Sequence, residues 1–162
     1  MRIRPIQTGD FETVLAFWNP AIAREVSTFA SVLHSTDSLA ALIAKRTEAG
    51  RPFLIAEIDG AVLGFASYDQ FRANDGYRHS MEHSVFLAPA AQGRGVGRAL
   101  MAAVEDHARD AGHHLMIAGI SGENLRAIAF HSVLGYVEAG RIVDAARKFD
   151  RWFDLVLMQK RL

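Results

Sequence analysis

The spacing of apolar residues along the chain changes several times, and each change predicts a new element. The N-terminal RIRPI alternates charged and apolar residues, which is typical of a half-buried strand. Apolar residues at three-and-four spacing over residues 11–18 predict a helix, and Pro20 is expected to end it because proline lacks a helical amide proton. A second helix is predicted from Ser35 or Thr36 to Gly50.

A hairpin is predicted next, where the apolar runs FLIAEI and AVLGFASY are joined by Asp59-Gly60. These two residues accept the positive φ of a tight turn. An amphipathic helix follows over residues 96–111, with Gly112 as its stop, and HHLMIAGI then has the composition of a buried strand.

The C-terminal part predicts a short helix and a second hairpin. The helix runs through the apolar residues Leu125, Ile128, Ala129 and Val133 and ends at Gly135, and two long strands fill the tail. Because strands and helices are mixed without strict alternation, the whole pattern predicts an α/β fold around a mixed sheet.

Length and composition narrow the classes of protein. The 162 residues suit one domain over residues 1–162, and the 18 basic residues balance the 18 acidic ones, which disfavours a nucleic-acid binder with a broad basic face. No apolar run approaches a membrane span, and the N-terminus lacks the apolar core of a signal peptide, so the cytoplasm is expected. The absence of cysteine excludes disulfides and a thiol nucleophile.

The segment from His79 to His83 reads H-x-x-E-H, which in a helix is a zinc-peptidase pattern. Here it runs into SVFL and then Pro89, which is strand composition followed by a breaker. Side chains alternate in a strand, so Glu82 and His83 point to opposite faces and cannot share a metal. We therefore expect no metal site, and histidines that are hydrogen-bonded or solvated.

A glycine-rich turn lies between this strand and the amphipathic helix, with the sequence Gln92-Gly-Arg-Gly-Val-Gly97. Such a turn, with the helix N-terminus behind it, offers backbone N–H groups to a phosphate or pyrophosphate. It is not a P-loop, and Arg98 replaces the third glycine of a dinucleotide fingerprint. GISGE at 119–123 likewise misses the nucleophile elbow. A turn that binds nothing is the alternative.

The Q-x-x-G-x-G pattern, placed after a strand ending in VFLAP and before a long helix, resembles the acetyl-CoA signature of the GNAT N-acetyltransferases. DGYRHSMEHSV and RKFDRWFDLVLMQ further resemble the phosphinothricin and methionine-sulfoximine acetyltransferase branch. The resemblance implies a mixed, mostly antiparallel central sheet, flanked by helices and splayed at the cofactor cleft. It also implies acetyl-CoA as co-substrate, a small-molecule amine substrate and a homodimer.

The resemblance also implies cofactor-binding residues. Backbone N–H groups of the strand would bind the pantetheine arm and polarise the acetyl carbonyl, the turn would hold the pyrophosphate, and Asn124 would reach the pantetheine arm. The residues carried over are Val85, Phe86, Leu87, Gln92, Gly93, Arg94, Gly95, Val96, Gly97, Arg98 and Asn124.

Two side chains are candidates for catalysis. Glu82 has apolar neighbours along the strand, and partial desolvation would raise its pKa toward that of a useful general base. Its alternative is a structural carboxylate paired with Arg78 or a histidine. His131 stands where many GNAT enzymes carry a tyrosine that protonates the thiolate, and an imidazole can donate a proton near neutral pH. Its alternative is a hydrogen-bonded histidine near the cofactor.

Substrate binding is predicted in the loop FRANDGYR, through Arg72, Gly76, Tyr77 and Arg78, together with Glu82 and an apolar wall from Phe29. Guanidinium groups pair bidentately with carboxylates and phosphinates, which suits a small acidic amino acid. Solvated, idle arginines are the alternative.

The favoured function is direct acetyl transfer to the α-amine of phosphinothricin, methionine sulfoximine or methionine sulfone, as detoxification or resistance. A GNAT enzyme acting on a peptide N-terminus, polyamine or antibiotic is the second hypothesis. A non-catalytic acetyl-CoA-binding module is the third, and a zinc hydrolase is the last.

Overall fold

A computed structural model describes residues Met1–Leu162, and one seven-stranded sheet runs through the whole chain. The strands are β1 (Arg2–Pro5), β2 (Phe53–Ile58), β3 (Ala61–Gln70), β4 (Ser80–Leu87), β5 (Leu115–Ser121), β6 (Val137–Lys148) and β7 (Arg151–Arg161). The helices are α1 (Phe11–Arg24), α2 (Thr36–Glu48), α3 (Val96–Asp110) and α4 (Leu125–Val133).

The sheet has the order β1-β2-β3-β4-β5-β7-β6, and β4 with β5 is its only parallel pair. Pairing between these two strands stops at Glu82 and Ile117, although β4 continues to Leu87 and β5 to Ser121. The two strands therefore diverge and open a gap in the middle of the sheet. The predicted mixed, mostly antiparallel and splayed sheet is confirmed.

Helices cover both faces of the sheet, and each face has its own core. Val14, Ile22 and Leu39 from α1 and α2 pack with Phe53 and Phe65 on one face. The other core is formed with α3 and by the opposite side chains of the strands, among them Leu100, Val104, Met81, Met116 and Tyr68. Side chains that alternate along β4 and β5 thus reach different helix layers.

Local sequence signals place most element boundaries. The Asp59-Gly60 turn has φ of 52° and 79°, as predicted, because both central residues of this turn type need positive φ. Ser35 caps α2 by accepting a hydrogen bond from the Ser38 amide (3.2 Å), and Gly50 follows the helix with φ of 68°.

The prediction that Pro20 ends the first helix is wrong, because α1 continues to Arg24. Pro20 removes one amide donor, but Ala21 and Ile22 beyond it are buried in the core. Burial of this last turn offsets the lost hydrogen bond.

The helix α4 is confirmed, but Leu125 and Val133 do not form its buried side, since they are 70% and 69% exposed. Of the predicted apolar residues, Ile128 does pack against the core, together with Ala127, Phe130, His131 and Leu134. Separately, no helix of the fold combines the length and apolarity needed to span a bilayer.

Candidate active site

A cleft of ≈ 1030 Å³ lies where β4 and β5 diverge, and most of the predicted site residues line it. Its volume is that of a small-molecule or cofactor site. The predicted residues that line it are Phe29, Glu82, Val85, Phe86, Leu87, Gln92, Gly93, Gly95, Val96, Gly97, Arg98, Asn124 and His131. Residues that lie as far apart in sequence as Phe29 and His131 therefore meet in one place.

The edge of β4 at the gap carries backbone groups without strand partners. The backbone carbonyl of Ser80 accepts a hydrogen bond from Phe71 N (2.9 Å), and the backbone N–H of Ala88 donates to Leu63 O (2.9 Å). The even-numbered residues of β4 therefore direct their backbone groups toward β3. Alternation directs the N–H groups of Val85 and Leu87 toward the gap. These amides are free to hydrogen-bond an extended ligand.

The glycine-rich turn leads directly into α3, with Gly93 and Gly95 both at φ of 73°. This left-handed conformation favours glycine, and nothing lies within 4 Å of a Cβ built at either position. The first-turn N–H groups of α3 have no side-chain cap, because the N-cap residue is Gly95. The turn therefore has the geometry of an anion-binding loop.

Two residues of this turn differ in their surroundings from the rest. A Cβ at Gly97 would lie 3.1 Å from Phe130 and 3.2 Å from Leu87, so Gly97 permits close packing of α3 against α4 and β4. Arg94 is exposed and, unlike its neighbours, does not line the cleft.

Asn124, which also lines the cleft, caps α4 through its side-chain Oδ1. This oxygen accepts a hydrogen bond from Ala127 N (3.1 Å), which leaves the side-chain NH₂ of Asn124 for a ligand.

Glu82 projects from β4 toward the α1/α2 layer and makes no hydrogen bond or ion pair within the chain. The paired-carboxylate alternative is thus not seen in this structure. Burial raises the pKa of Glu82, and the charge of Arg72 offsets part of that rise. A Cβ built at Gly119 would lie 2.8 Å from Glu82 Oε1, so the bare glycine backbone of β5 makes room for the carboxylate.

His83 projects to the opposite face and is buried, with neither ring nitrogen hydrogen-bonded. Its ring stacks on His131 at 5.0 Å and meets Tyr136 edge-on at 5.7 Å. Burial, with a smaller contribution from His131, lowers the pKa of His83 to about 3. The expectation of a hydrogen-bonded or solvated histidine is therefore wrong for His83, whose ring packs as an apolar group. No group of three or more His, Asp or Glu side chains is arranged to hold a metal ion.

His131 is buried on α4, and its Nδ1–H donates to the Ala127 carbonyl (2.7 Å). This bond fixes the neutral tautomer in which Nε2 carries a lone pair and no proton. Burial lowers the pKa of His131 despite that hydrogen bond and the charge of Glu105. In neutral His131 the acceptor Nε2 is buried without a hydrogen-bond partner, and it can donate only after it has taken up a proton there.

The predicted substrate loop lies apart from the cleft lining. The Arg78 Nε–H donates to His79 (3.2 Å), and the Arg72 guanidinium lies 5.1 Å from the Phe71 ring centre. Tyr77 borders a separate hollow of ≈ 250 Å³ next to β5 and β7. Arg72, Gly76, Tyr77 and Arg78 thus do not line the pocket with Glu82, although Arg72 is near enough for its charge to lower the pKa of Glu82.

Other side chains occupy the position that the loop was expected to fill. Asp69 of β3 stands opposite Glu82 in the strand register, and it is paired with Arg46 from α2 and with Arg51. Arg46 and Asp69 line the cleft. Nothing in the sequence around Arg46 distinguishes it from other helix arginines, so only the folded structure identifies it.

A buried lysine holds the α1–α2 loop against the cleft. Lys148 Nζ donates to the carbonyls of Glu25 and Thr28, both at 2.7 Å, and the ring of Phe29 packs on Phe153 at 5.8 Å. Residues 25–29 line the cleft. The β6–β7 hairpin therefore positions a wall of the site that lies more than 100 residues earlier in the chain.

Comparison with known proteins agrees with this geometry. Residues 19–136 match the acetyltransferase (GNAT) family model. The methionine sulfoximine/methionine sulfone acetyltransferase of Salmonella typhimurium is 36% identical over 162 residues, which is 100% of this chain and 95% of that protein.

Two solved structures superpose on the fold. A ribosomal-protein-alanine N-acetyltransferase from Brucella melitensis has a TM-score of 0.96 at 38% identity, with 100% of both chains covered. A phosphinothricin acetyltransferase from Sinorhizobium meliloti in complex with AcCoA has a TM-score of 0.93 at 30% identity, covering 99% of this chain and 88% of that one.

The chain belongs to the GNAT family of acetyltransferases. Its enzymatic class is that of an N-acetyltransferase, and its relatives include the phosphinothricin and methionine-sulfoximine branch that its motifs resemble. The family prediction made from the sequence is confirmed.

Proposed function

We propose that this protein transfers the acetyl group of acetyl-CoA directly to the α-amine of a small amino acid of the phosphinothricin, methionine sulfoximine or methionine sulfone type. The observation that carries the proposal is the unpaired Glu82 carboxylate in the cleft, beside the free amide edge of β4. The carboxylate of Glu82 would accept a proton from the substrate amine, and the amides of β4 would bind and polarise the acetyl carbonyl.

The proposed mechanism starts with the acetyl donor in the gap. The N–H groups of Val85 and Leu87 hydrogen-bond the pantetheine arm and the acetyl carbonyl oxygen, and the turn from Gly93 to Arg98 holds the pyrophosphate. Asn124 donates its free amide to the pantetheine arm. These backbone donors are fixed by the sheet, so they are ready to stabilise the negative charge that develops on the carbonyl oxygen.

Glu82 acts as the general base, directly or through a water. It removes a proton from the substrate ammonium, and the neutral amine attacks the thioester carbon, forming the N–C bond as the C–S bond breaks. The raised pKa of Glu82, caused by burial, makes its carboxylate a stronger base.

The leaving thiolate needs a proton. His131 lines the cleft and is the candidate donor, but its neutral form carries no proton at Nε2. In this role it must first accept a proton, and the amine that becomes acidic after attack supplies one. The alternative, a histidine that only packs against His83, predicts that replacement by phenylalanine leaves kcat unchanged.

Thiol release from acetyl-CoA tests the proposal with a panel of amines: phosphinothricin, methionine sulfoximine, methionine sulfone, methionine, glutamate, spermidine and a Ser-Ala peptide. We expect turnover with the first three compounds. Turnover only with spermidine or the peptide would overturn the substrate assignment, and no turnover with any amine would favour a non-catalytic acetyl-CoA-binding module.

Acetylation of a peptide N-terminus is the second candidate function. The Brucella melitensis structure, at 38% identity, carries the name of a ribosomal-protein-alanine N-acetyltransferase. The Ser-Ala peptide in the panel separates the two candidates.

We also propose a cytoplasmic homodimer whose activity gives resistance to toxic amino acids. The edge strand β6 and its neighbour β7 expose Val137, Ile142, Val143 and Trp152, an apolar surface that a second copy would cover. Light scattering at micromolar concentration gives the subunit number, and growth on phosphinothricin with and without the protein tests resistance.

A further inference from the structure

The cleft contains a positive group that the catalytic mechanism leaves unused. Arg46 and Arg51 both pair with Asp69, Arg46 with Oδ2 and Arg51 with Oδ1. Two guanidinium groups against one carboxylate leave one positive charge that Asp69 does not neutralise. Only one of the two arginines, Arg46, lines the cleft.

The guanidinium of Arg46 also has N–H groups available. Its hydrogen bond within the chain uses Nη1, and a guanidinium carries five N–H donors in a planar fork. Its remaining nitrogens are not buried, whereas the Nε of Arg51 is buried without a partner. Asp69 holds one edge of the Arg46 fork, so the other edge is free to bind a carboxylate bidentately.

Glu82 lines the same cleft as Arg46 and stands opposite its partner Asp69. Asp69 and Glu82 are directly paired across β3 and β4, which places their Cβ atoms about 5 Å apart on the same face of the sheet. A cation bound to Asp69 and an unpaired carboxylate are thus neighbours in one cleft. An α-amino acid carries the complementary pair, an ammonium and a carboxylate on a single carbon.

We infer that Arg46 binds the α-carboxylate of the substrate while Glu82 receives its ammonium, so that the site selects α-amino acids over amines that lack a carboxylate. The inference rests on the proposed function and adds the group that recognises the substrate. Asp69 is then a positioning residue, because it orients Arg46 without contacting the substrate.

The test compares methionine sulfone with its α-carboxamide, which keeps the amine and the side chain but loses the negative charge. Thiol release is measured for the unmodified protein and for the Arg46→Met and Arg51→Met variants. Arg51 is the matched control, since it binds the same aspartate and does not line the cleft.

We expect the unmodified protein to prefer the acid over the carboxamide in kcat/KM. Arg46→Met should lower kcat/KM for the acid about 10- to 100-fold, the usual range for a lost hydrogen bond to a charged group, and change the carboxamide less than about twofold. Arg51→Met leaves Asp69 to neutralise Arg46, so it should lower the preference for the acid by less than Arg46→Met does, because the guanidinium that lines the cleft remains. The KM for acetyl-CoA and the melting temperature are measured on the same samples, so a folding defect is recognised.

Equal losses for acid and carboxamide in Arg46→Met would overturn the inference and assign Arg46 a structural role. Unchanged kinetics would overturn it as well. If the unmodified protein acetylates peptides or polyamines but neither compound, the inference fails while the transferase activity stands. If none of the amines tested gives thiol release, the proposed function itself fails. The two failures are therefore distinguishable.

Discussion

The two walls of the cleft differ in the groups that they offer to a ligand. The donor wall, defined as the β4 edge at Val85 and Leu87, the turn at 92–98 and Asn124, offers mainly backbone amides, most of them from residues 85–98. The amine wall, defined as Glu82, Gly119, Arg46 and the loop at 25–29 held by Lys148, offers side chains from separate segments.

This difference matches what each wall has to recognise. In the proposed mechanism, backbone amides would hold the pantetheine arm and the pyrophosphate whatever side chains surround them, so the donor wall suits one unchanging ligand. Side chains on the amine wall can change one at a time without disturbing the sheet. Substrate specificity should therefore lie in the amine wall, and substitutions in the two walls should separate in their kinetic effects.

The largest expected effect is that of Glu82→Gln, which keeps the shape of the side chain and removes the base. We expect kcat to fall about 10²- to 10⁴-fold, the usual contribution of a general base. Because the base must be ionised and burial raises the pKa of Glu82, activity of the unmodified enzyme should rise with pH through a limb above the ordinary glutamate range.

Steady-state kinetics against pH measure both effects. The acid limb should disappear in Glu82→Gln, while the KM for acetyl-CoA stays the same. A variant with the unmodified rate would remove Glu82 from the mechanism.

A smaller effect is expected from Gly119→Ala, whose new Cβ would meet Glu82 Oε1 at 2.8 Å. The carboxylate is the flexible end of its side chain, so it should swing away at little cost in stability. We expect kcat to fall about 10- to 100-fold because a displaced base is out of line with the amine. Thermal melting and kcat are measured together.

The matched control is Gly140→Ala in β6, where a Cβ meets nothing within 4 Å. Equal activity in both variants would contradict the idea that Gly119 positions the base. A large drop in the melting temperature of Gly119→Ala alone would point to a packing role instead.

Lys148→Met should have the next largest effect and should weaken amine binding. It leaves the carbonyls of Glu25 and Thr28 without their donor, so the loop at 25–29 loses its anchor. We expect the KM for the amine to rise about tenfold and the free energy of unfolding to fall by about 1–3 kcal/mol. The KM for acetyl-CoA should not change.

Lys45→Met, an exposed lysine on α2, is the control and should be neutral. If Lys148→Met raised the KM for acetyl-CoA as much as that for the amine, the separation of the two walls would not hold.

The smallest effect is expected on the donor wall, from Gly95→Ala. Alanine at φ of 73° costs about 1–2 kcal/mol, and the turn should relax by moving its amides. We expect the KM for acetyl-CoA to rise about fivefold with the KM for the amine unchanged. Gly9→Ala, at a glycine without positive φ, is the control, and a selective rise in the amine KM would reverse our assignment of the walls.

Interactions between residues close in sequence allowed several features of the fold to be predicted from the sequence. The Asp59-Gly60 turn, the Ser35 cap and the glycines before α3 each depend on a few adjacent residues, and the structure has all of them where they were expected. Pro20 does not end α1, because burial of Ala21 and Ile22 in the core stabilises the last turn of the helix. Burial depends on tertiary packing, so the local sequence did not predict it.

The site divides in the same way. By itself, the sequence indicated the family, from a few separate motifs, and it predicted the strand that carries Glu82 and the glycine-rich turn before α3, because each of these features depends on adjacent residues. Only the tertiary structure decided the rest. The divergence of β4 from β5 frees the amides, β3 aligns Asp69 with Glu82, and the packing of α2 brings in Arg46. These contacts join residues far apart in sequence, so no local sequence pattern predicts that folding brings them together.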